Sequence, residues 1–444
     1  MSKPLVAIVG RPNVGKSSLF NRLVRSPMAV VAETAGTTRD RISTEVTYGD
    51  RPLVLVDTGG LEPLPESPIE EQVQAQVQIA IQDADAIILL TDVLDGCTPI
   101  DDEIAERLRR TQKPVVLAAN KSDNARRAHG TADFFRLGLG EAIPISAYHD
   151  VGIGSLMEAL FAALPEQAEP AEPEADIPAL AIVGRTNVGK SALLNAILGE
   201  ERAIVSEVPG TTRDALDTSL LYRDQRLLLI DTAGIRRRGK IAPGIERYSA
   251  LRSIRAIYRA QVAFLVLDAT ELVTAQDTHI AGEVADAYKG AVVLVNKWDL
   301  ASELGLDQAS YMSQIRSRLK FMPYAPIRFV SALRKQGIGE ALDAALMVFE
   351  ERGKWIPQNQ LHSIVMTSLS EHLPPGKGRR HLTVRKVVQQ GVNPPTFTFY
   401  VNDPELVHFS YQRYLENRLR DGLGYRWSHL KLQFKGREKR PRIK

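Results

Sequence analysis

A twelve-residue pattern occurs twice in the sequence, as GRPNVGKSSLFN at 10–21 and as GRTNVGKSALLN at 184–195. Four further motifs follow each copy in the same order. The paired motifs are AGTTRD at 35–40 with PGTTRD at 209–214, VDTGG at 56–60 with IDTAG at 230–234, NKSD at 120–123 with NKWD at 296–299, and ISA at 145–147 with VSA at 330–332. Because chance does not repeat five motifs in one order, the sequence indicates a duplicated domain.

Each copy alternates short apolar segments with helical patterns. The apolar segments are LVAIVG, PLVLVD, AIILLTDV, PVVLAAN and AIPISA in the first copy, and ALAIVG, LLLID, VAFLVLDA, AVVLVN and PIRFVSA in the second. Continuous apolar strands separated by helices are typical of a mainly parallel sheet that is covered by helices on both faces. We therefore predict two α/β domains, at 1–164 and 179–352.

The segments outside the two copies differ from them in charge. Residues 165–178, PEQAEPAEPEADIP, are rich in proline and acid, which predicts a stiff, extended linker. Residues 353–444 carry 17 Lys or Arg and 6 Asp or Glu, whereas the other 352 residues carry 39 and 47. This basic module on an acidic body predicts a polyanionic partner, and a merely solvated basic surface is the alternative.

Cysteine content and hydropathy point to a cytoplasmic protein. The lone Cys97 excludes a disulfide framework within the chain and fits a reducing cytosol. No apolar segment approaches the roughly 20 residues that span a bilayer. The start, MSKPLVAIVG, enters a strand pattern at once, which leaves no room for a signal peptide. We expect a cytoplasmic monomer with no membrane or DNA partner.

The repeated glycine-rich pattern has the spacing of a P-loop, because Gly-x4-Gly-Lys-Ser follows a predicted strand and opens a predicted helix. Backbone N–H groups would hold phosphates, the lysine would pair with the β- and γ-phosphates, and the serine would bind Mg²⁺. The predicted residues are Gly10, Arg11, Pro12, Asn13, Val14, Gly15, Lys16 and Ser17, and in the second copy Gly184, Arg185, Thr186, Asn187, Val188, Gly189, Lys190 and Ser191. A glycine-rich turn that only caps a helix is the alternative, and it does not explain the duplication.

The NKxD motifs predict which base is bound. Asp123 and Asp299 can each accept hydrogen bonds from N1–H and the 2-amino group of guanine, and adenine offers neither donor. A buried carboxylate left unpaired by adenine would cost about 1–3 kcal/mol. The asparagines would bridge the base and the P-loop, and the lysines would lie over the base. The predicted set is Asn120, Lys121, Ser122, Asp123, Ser146 and Ala147, with Asn296, Lys297, Trp298, Asp299, Ser331 and Ala332. Each copy is thus predicted to bind GTP or GDP.

Another group of residues is expected around Mg²⁺ and the γ-phosphate. Asp57 and Asp231 end apolar strands, where a carboxylate would hold the metal through water. Thr37 and Thr211 lie in loops that would order in the GTP state, with Thr38 and Thr212 as the alternative ligands. The predicted nucleotide contacts are Asp57, Thr58, Gly59, Gly60 and Leu61, with Asp231, Thr232, Ala233, Gly234 and Ile235. The predicted metal ligands are Ser17, Thr37 and Asp57, with Ser191, Thr211 and Asp231.

Leu61 and Ile235 stand where Ras-like GTPases carry a glutamine that orients the attacking water. Asn13 and Asn187, three places before each P-loop lysine, instead resemble an asparagine of the potassium-activated GTPases. That resemblance implies that K⁺ supplies charge at the phosphates. The catalytic residues would then be Asn13, Lys16 and Thr37, with Asn187, Lys190 and Thr211. An asparagine that merely supports the loop is the alternative.

The sequence resembles the Der (EngA) family of bacterial ribosome-assembly GTPases over essentially the whole chain. The resemblance rests on the tandem domains, the NKWD motif in the second and the basic tail. The resemblance implies a small α+β KH-like domain at 353–444 that associates with the large ribosomal subunit and its rRNA. The tail's pattern agrees, because LTVRKVVQQGVNPPTFTFYVN alternates like a hairpin, YQRYLENRLRDGLG like a helix and LKLQF like a strand. It lacks a KH-type G-x-x-G loop, for which PGKGRR at 375–380 is the nearest match, so we expect contacts by charge or shape.

Two nucleotide sites and one basic domain predict a switch protein in ribosome biogenesis whose nucleotide state controls ribosome binding. The second copy places Arg236, Arg237, Arg238 and Lys240 in its expected switch II segment, and ordering of that segment by γ-phosphate would alter the binding. A solvated loop is the alternative there. A nucleotide-driven protein scaffold and a tRNA-modification or trafficking GTPase are the alternative functions. Neutralising the tail's cations would release a ribosome factor and would affect a scaffold little.

Overall fold

The structure, a computed structural model, describes residues 3–25, 29–31, 43–49, 51–60, 77–78, 80–81, 83–164, 177–200, 203–205, 217–232, 235, 249–271, 273–301, 303–372, 376–377 and 380–436. The chain divides into two compact units. One comprises Met1–Ala175 with Ile241–Arg259, and the other comprises Asp176–Lys240 with Ala260–Lys444. The acidic segment 165–176 of the predicted linker lies outside the described residues.

The first unit is built on a seven-stranded sheet. Its strands are β1 Leu5–Val9, β2 Ala29–Val31, β3 Ser43–Tyr48, β4 Arg51–Asp57, β5 Ala86–Asp92, β6 Val115–Asn120 and β7 Ile143–Pro144. The spatial order is β2-β3-β4-β1-β5-β6-β7, and β2–β3 and β3–β4 are the antiparallel pairs. Every residue of β1 and β5 is buried, as expected for parallel strands covered on both faces.

The second unit repeats this sheet. Its strands are β8 Ala179–Val183, β9 Ala203–Val205, β10 Thr218–Tyr222, β11 Gln225–Ile230, β12 Val262–Asp268, β13 Gly290–Asn296 and β14 Ile327–Phe329. Their order, β9-β10-β11-β8-β12-β13-β14, matches the order in the first unit strand for strand. The predicted duplication and the mainly parallel α/β fold are therefore confirmed.

Helices connect the strands of both sheets. In the first repeat they are Lys16–Arg25, Pro99–Arg109, Ala125–His129 and Ile153–Ala163, and in the second Lys190–Leu198, Ala275–Asp286, Gln308–Arg318 and Ile338–Arg352. Two equivalent helices begin with the same capping box, in which Thr98 and Asp101, or Thr274 and Asp277, exchange hydrogen bonds with each other's backbone N–H. The duplication therefore extends to helix caps.

The helix Ser249–Arg259 belongs to the first unit, although its sequence lies between the second DTAG motif and β12. Leu251 and Ile254 are buried in the same core cluster as Leu5 and Val54. Arg252 Nε donates to Asp83 Oδ1 at 2.8 Å, and burial raises the pKa of Asp83 against the opposing effect of this arginine. A segment of the second repeat thus completes the core of the first unit.

The C-terminal part of the second unit is a small α+β domain. A three-stranded sheet, in the order β17-β18-β19, contains β17 Val384–Gly391, β18 Thr396–Val401 and β19 Lys431–Lys435. It follows a short hairpin of β15 Gly376–Lys377 and β16 Arg380–His381. The helices Gln358–Glu371 and Phe409–Leu423 pack on one face through a core that includes Leu361, Phe397, Phe399, Leu415 and Leu419. The predicted hairpin, helix and closing strand are all present, and β19 pairs parallel to β18.

None of the helices in the described part of the chain combines the length and apolar character needed to cross a membrane.

Candidate functional site

Both glycine-rich loops require glycine because other groups lie against them. A Cβ on Gly10 would stand 2.3 Å from the Leu90 carbonyl oxygen, and one on Gly15 would stand 2.4 Å from Asn120 Nδ2. The equivalent distances in the second repeat are 2.5 Å at Gly184 and 2.3 Å at Gly189. Gly15 and Gly189 also have φ near +99° and +92°, which L side chains rarely adopt. The first glycine of each loop is therefore packed against β5 or β12, and the second is packed against the NKxD asparagine.

Carbonyl groups of the same loop hold the ammonium group of the P-loop lysine. Lys16 Nζ donates to Gly10 O at 2.8 Å and to Arg11 O at 2.9 Å, and the residue is only 8% exposed. Burial lowers the pKa of Lys16, although the nearby Asp57 carboxylate acts in the opposite direction. Lys190 Nζ repeats the contacts, with Gly184 O at 2.7 Å and with Arg185 O. A buried ammonium group that rests on carbonyls suits an incoming phosphate.

A buried asparagine joins three loops in each repeat. Asn120 Nδ2 donates to the Val14 carbonyl at 2.8 Å, and its Oδ1 accepts from Ala147 N at 3.0 Å. Asn296 makes the same two bonds, to Val188 O at 2.8 Å and from Ala332 N at 3.0 Å. The predicted bridge to the P-loop is present in both repeats. The bond from Ala147 or Ala332 ties the same asparagine to a third loop, the S-A segment, which is residues 146–147 in the first repeat and 331–332 in the second.

The NKxD carboxylates face the S-A segments. Ser146 Oγ donates to Asp123 Oδ1 at 2.8 Å, and Ser331 Oγ donates to Asp299 Oδ1 at 2.6 Å. Arg127, one helical turn later, also pairs with Asp123 Oδ2. In the described part of the second repeat no arginine pairs with Asp299. The first carboxylate therefore has a competing cation that the second lacks.

The NKxD lysines pair with acids that the sequence analysis did not single out. Lys121 contacts Asp92 at the end of β5, and Lys297 Nζ lies 2.6 Å from Asp268 Oδ2 at the end of β12. Burial would raise the pKa of Asp268, but hydrogen bonds from Lys297 and Thr270 lower it overall. Both acids end equivalent strands at matching positions of the repeat. Alignment of the two copies would therefore have indicated them.

An arginine in each P-loop is clamped by two acids. Arg11 lies 2.7 Å from Asp95 and 3.5 Å from Asp101, and Arg185 lies 2.8 Å from Glu271 and 3.4 Å from Asp277. Asp101 and Asp277 are the capping-box acids of the two equivalent helices. The carbonyls of Arg11 and Arg185 accept from the P-loop lysines, so the clamps hold the backbone that carries those lysines.

The two strand-end aspartates differ in their surroundings. Asp57 is buried, its Oδ1 accepts from Gly59 N at 2.9 Å, and a Cβ on Gly59 would meet Lys16 Cε at 3.0 Å. Asp231 instead has φ of 55°, and its N–H donates to Asp217 at 2.9 Å. Carboxylate and hydroxyl oxygens are the donors that Mg²⁺ prefers, so Ser17 with Asp57 and Ser191 with Asp231 fit this ion chemically.

The other predicted residues occupy varied positions. Val14 and Val188 are buried in the cores, and Ser122 Oγ donates to Ala119 O at 3.0 Å. Trp298 packs on Phe329, with 4.3 Å between ring centroids. Thr58 Oγ1 donates to Ile8 O at 2.6 Å, and Thr232 Oγ1 lies 2.7 Å from Thr218 Oγ1.

Asn13 and Asn187 are exposed at the loop tips, with φ of 65° and 64°. The apolar side chain of Ile235 is buried in the core, and its carbonyl accepts from Ser191 Oγ at 3.0 Å.

Several predicted residues lie outside the described part of the chain. They are Thr37, Thr38, Leu61, Thr211, Thr212, Ala233, Gly234, Arg236, Arg237, Arg238 and Lys240. The roles predicted for these residues in the two switch regions remain predictions. Among the described residues, no group of three or more His, Cys, Asp or Glu side chains forms a metal-binding cluster.

Comparison with known proteins finds families and relatives that the chain matches. Residues 5–121 and 179–297 each match the family described as 50S ribosome-binding GTPase, and residues 355–435 match the KH-domain-like C-terminal family of EngA bacterial GTPase enzymes. GTPase Der of Thermomicrobium roseum is 49% identical over 99% of this chain and 97% of its own length. GTPase Der of Herpetosiphon aurantiacus is 46% identical over 99% and 98%. The FeoB G-domain structure from Methanococcus jannaschii is 24% identical, covers 37% of this chain and 98% of its own, and has a TM-score of 0.28.

The duplicated sheets, P-loops and NKxD loops define a GTP-binding GTPase with two G domains in tandem and a KH-like C-terminal domain. Similarity over nearly the full length then identifies the family. The chain belongs to the family of the GTPase Der.

Proposed function

We propose that each G domain binds its own guanine nucleotide, with GTP hydrolysis in both. One observation carries the proposal: Asn120 and Asn296 tie P-loop, NKxD loop and S-A segment together through the same two hydrogen bonds. Asp123 and Asp299 would read the guanine edge, and Lys16 and Lys190 would move from loop carbonyls to the phosphates. A site that rests on a buried polar network is pre-organised, which reduces the cost of ordering it on binding.

Mg²⁺ would be held by Ser17, Asp57 and Thr37, and in the second domain by Ser191, Asp231 and Thr211. K⁺ would be held with the help of Asn13 and Asn187, which lie exposed at the loop tips. Both ions supply positive charge to the phosphates. The chain's part would be to place Lys16 and Lys190 beside the same phosphates. Ile235 of the second domain has its side chain in the core and offers no water-orienting amide.

At the level of the cell, we propose that the protein acts as a cytoplasmic monomer in maturation of the large ribosomal subunit. Its domains would be 1–164, 179–352 and 353–444, with the acidic linker 165–178 between the first two. The nucleotide state of the G domains would control binding to rRNA through the basic KH-like domain. The excess of 17 cations over 6 acids at 353–444 supports this role.

Equilibrium dialysis of the full chain with labelled GDP tests the nucleotide sites. The proposal gives two nucleotides per chain for the wild type and one for Lys16→Ala or Lys190→Ala, because each lysine serves its own domain. The Arg413→Ala variant, which changes an exposed cation in the KH-like domain, is the matched control and keeps both. A wild-type stoichiometry of one would overturn the assignment of two independent sites.

Sedimentation of cell extract in GDP and in a non-hydrolysable GTP analogue tests the ribosomal role. The protein should migrate with large subunits, and more of it should do so with the analogue. A protein that stays at the top of the gradient in both nucleotides would favour the scaffold function instead.

A further inference from the structure

The sheet of the KH-like domain has one face that its helices do not cover. Phe397, Phe399 and Val401 of β18 lie in the core, so the alternate residues Thr396, Thr398 and Tyr400 point to the opposite face. Tyr400 is 36% exposed there. An aromatic side chain on an open sheet face has no packing role in the core.

Two lysines flank this tyrosine on the neighbouring strands. Lys386 of β17 pairs with Tyr400 on one side, and Lys435 of β19 pairs with it on the other. Directly opposed residues on adjacent strands have Cβ atoms about 5 Å apart. Both lysines are exposed, and among the described residues neither has an ion-pair or hydrogen-bond partner. The row therefore presents an aromatic ring between two available cations.

The next row along the sheet consists of Val388, Thr398 and Gln433. Thr398 is fully buried beneath two glutamines, and its Oγ1 lies 2.6 Å from Gln390 Oε1 and 3.3 Å from Gln433 Oε1. One row further, Lys431 Nζ lies 5.3 Å from the ring centroid of Tyr288. That end of the face is thus occupied within the second unit, and Tyr400 lies about 13 Å away along β18. The open part of the face is the row of Lys386, Tyr400 and Lys435, with Gln390 and Gln433 beside it.

The strands that form this face carry basic residues and no acidic ones. The segments 384–401 and 431–436 contain Arg385, Lys386, Lys431 and Lys435 and no acid. Five of the six acids of 353–444 lie in the two helices and in the turn after β18, and the sixth, Glu438, lies outside the described residues. An acidic protein surface would be attracted by the cations alone and would leave the central aromatic unused. Single-stranded nucleic acid uses both, since phosphates meet cations and bases stack on aromatic rings.

We propose that the open face of the β17-β18-β19 sheet binds a single-stranded segment of ribosomal RNA, with one base stacked on Tyr400 and the adjoining phosphates at Lys386 and Lys435. This surface deepens the proposed function, on which it rests, by naming where and in what form the RNA is bound. Gln390 and Gln433 supply amide groups to the neighbouring nucleotide. A G-x-x-G loop is not required for this mode of binding.

Fluorescence anisotropy of the full chain in saturating GDP tests the proposal, with labelled oligouridylate as single strand and a duplex of equal length as the comparison. Tyr400→Ala should weaken single-strand binding about tenfold, which corresponds to the loss of one stacked base. Duplex binding and the salt dependence should not change, because no cation is removed. Tyr400→Trp should retain binding.

The lysines give a different signature. Lys386→Ala with Lys435→Ala should reduce the slope of log K against log salt by about 1.4, because each phosphate that is no longer neutralised on a single strand lowers the slope by about 0.7. Phe409→Ala and Arg413→Ala are the matched controls, since both side chains are exposed on the helix Phe409–Leu423. Neither control should change affinity, and all variants should unfold at the wild-type temperature.

Equal affinities for Tyr400→Ala and Phe409→Ala would overturn the proposal, as would an equal loss on single strand and duplex. Either result would leave a purely electrostatic face of the kind an acidic protein could use. Sedimentation with large subunits separates the two claims. Wild-type protein that sediments with subunits while Tyr400→Ala binds oligouridylate normally refutes this surface alone, whereas wild-type protein that does not sediment refutes the proposed function.

Discussion

The two G domains have the same sheet order and the same buried asparagine bridge, but they differ around the bridge. Asp123 of the first domain is paired with both Ser146 and Arg127, whereas Asp299 of the second accepts from Ser331. Asp57 ends a regular strand, whereas Asp231 has a left-handed backbone and is bonded to Asp217. The sheet order and the asparagine bridge are thus the same in both domains, whereas the contacts of the NKxD and strand-end aspartates differ.

A second difference concerns how each core is completed. The first unit includes the helix Ser249–Arg259, whose sequence follows the switch II region of the second repeat. Leu251 and Ile254 contribute apolar surface there, and Arg252 and Arg255 pair with Asp83 and Asp85. The first domain's core therefore depends on a segment that lies in sequence between the IDTAG and NKWD motifs of the second nucleotide site. The two duplicated domains therefore differ in how their cores are completed as well as in their pockets.

Exchanging the base-reading carboxylates is the largest expected perturbation. Each wild-type domain should prefer GTP to ATP by several powers of ten, since a site built to hydrogen-bond a donor rejects the analogue that lacks it by about 10⁴ or more. Asp123→Asn and Asp299→Asn should each shift one domain towards xanthine nucleotides and leave the other unchanged. Competition binding measures both preferences, and similar ATP and GTP affinities in the wild type would contradict the shared pocket chemistry.

The second unit should lose stability at acidic pH because of one buried histidine. His429 is buried between Tyr288 and Tyr324, and burial, with help from Arg420 and Arg352, lowers its pKa from 6.5 to about 3. As pH falls below 6.5 the unfolded chain takes up a proton that the folded unit does not, so the free energy of unfolding decreases by about 2 kcal/mol between pH 6.5 and 5.

Urea unfolding of the wild type and of His429→Phe at the two pH values checks this expectation. The variant should lose this contribution, and the transition of the first unit should serve as the internal reference. A pH dependence of the second transition that is equal in the wild type and the variant would contradict the assignment.

Potassium dependence tests whether the two loop asparagines act alike. Hydrolysis in matched KCl and NaCl should differ by more than about tenfold, since a bound cation would stabilise charge that develops in the transition state. Asn13→Ala should remove the difference from the first domain, and Asn187→Ala from the second. Single-turnover rates in variants with the other site disabled report each domain separately. Equal wild-type rates in both salts would favour asparagines that only support the loops.

The smallest expected effect is at Arg127. Because this arginine competes for Asp123, Arg127→Ala should tighten GDP binding to the first domain by about two- to fivefold, the range expected for an exposed ion pair. Binding to the second domain should not change. Calorimetric titration of Lys190→Ala with and without Arg127→Ala isolates the first site. Weaker binding in the Arg127→Ala chain would show that the arginine supports the nucleotide rather than competing with it.

Local sequence patterns predict the elements of the fold that depend on spacing. The P-loops, the NKxD loops, the parallel strands and the asparagine bridge all follow from short motifs whose chemistry permits few alternatives. The Arg11 and Arg185 clamps do not, because the Gly-x4-Gly-Lys-Ser pattern leaves each arginine's position unspecified and its acids lie more than 80 residues later in the chain. Alignment of the two copies would show that Asp101 and Asp277 are equivalent, and this is the one signal in the sequence that points to the clamps.

Long-range packing explains the other features that the sequence analysis missed. The helix Ser249–Arg259 is amphipathic, and amphipathicity specifies an apolar partner without specifying which core provides it. The same holds for His429, whose lowered pKa comes from burial among Tyr288, Tyr324 and Arg352. Those residues are distant in sequence, and their side chains carry no motif.

Subunit binding under single-site loading tests the central claim most directly. In Asp299→Asn, a xanthosine triphosphate analogue with GDP would fill the second site with a γ-phosphate while the first retains GDP, and Asp123→Asn allows the reverse. Co-sedimentation with large ribosomal subunits should increase when the second site alone carries the γ-phosphate, and it should weaken steeply with salt, as phosphate contacts require. Equal co-sedimentation with GDP, with the analogue and without nucleotide would contradict control of ribosome binding by the nucleotide state.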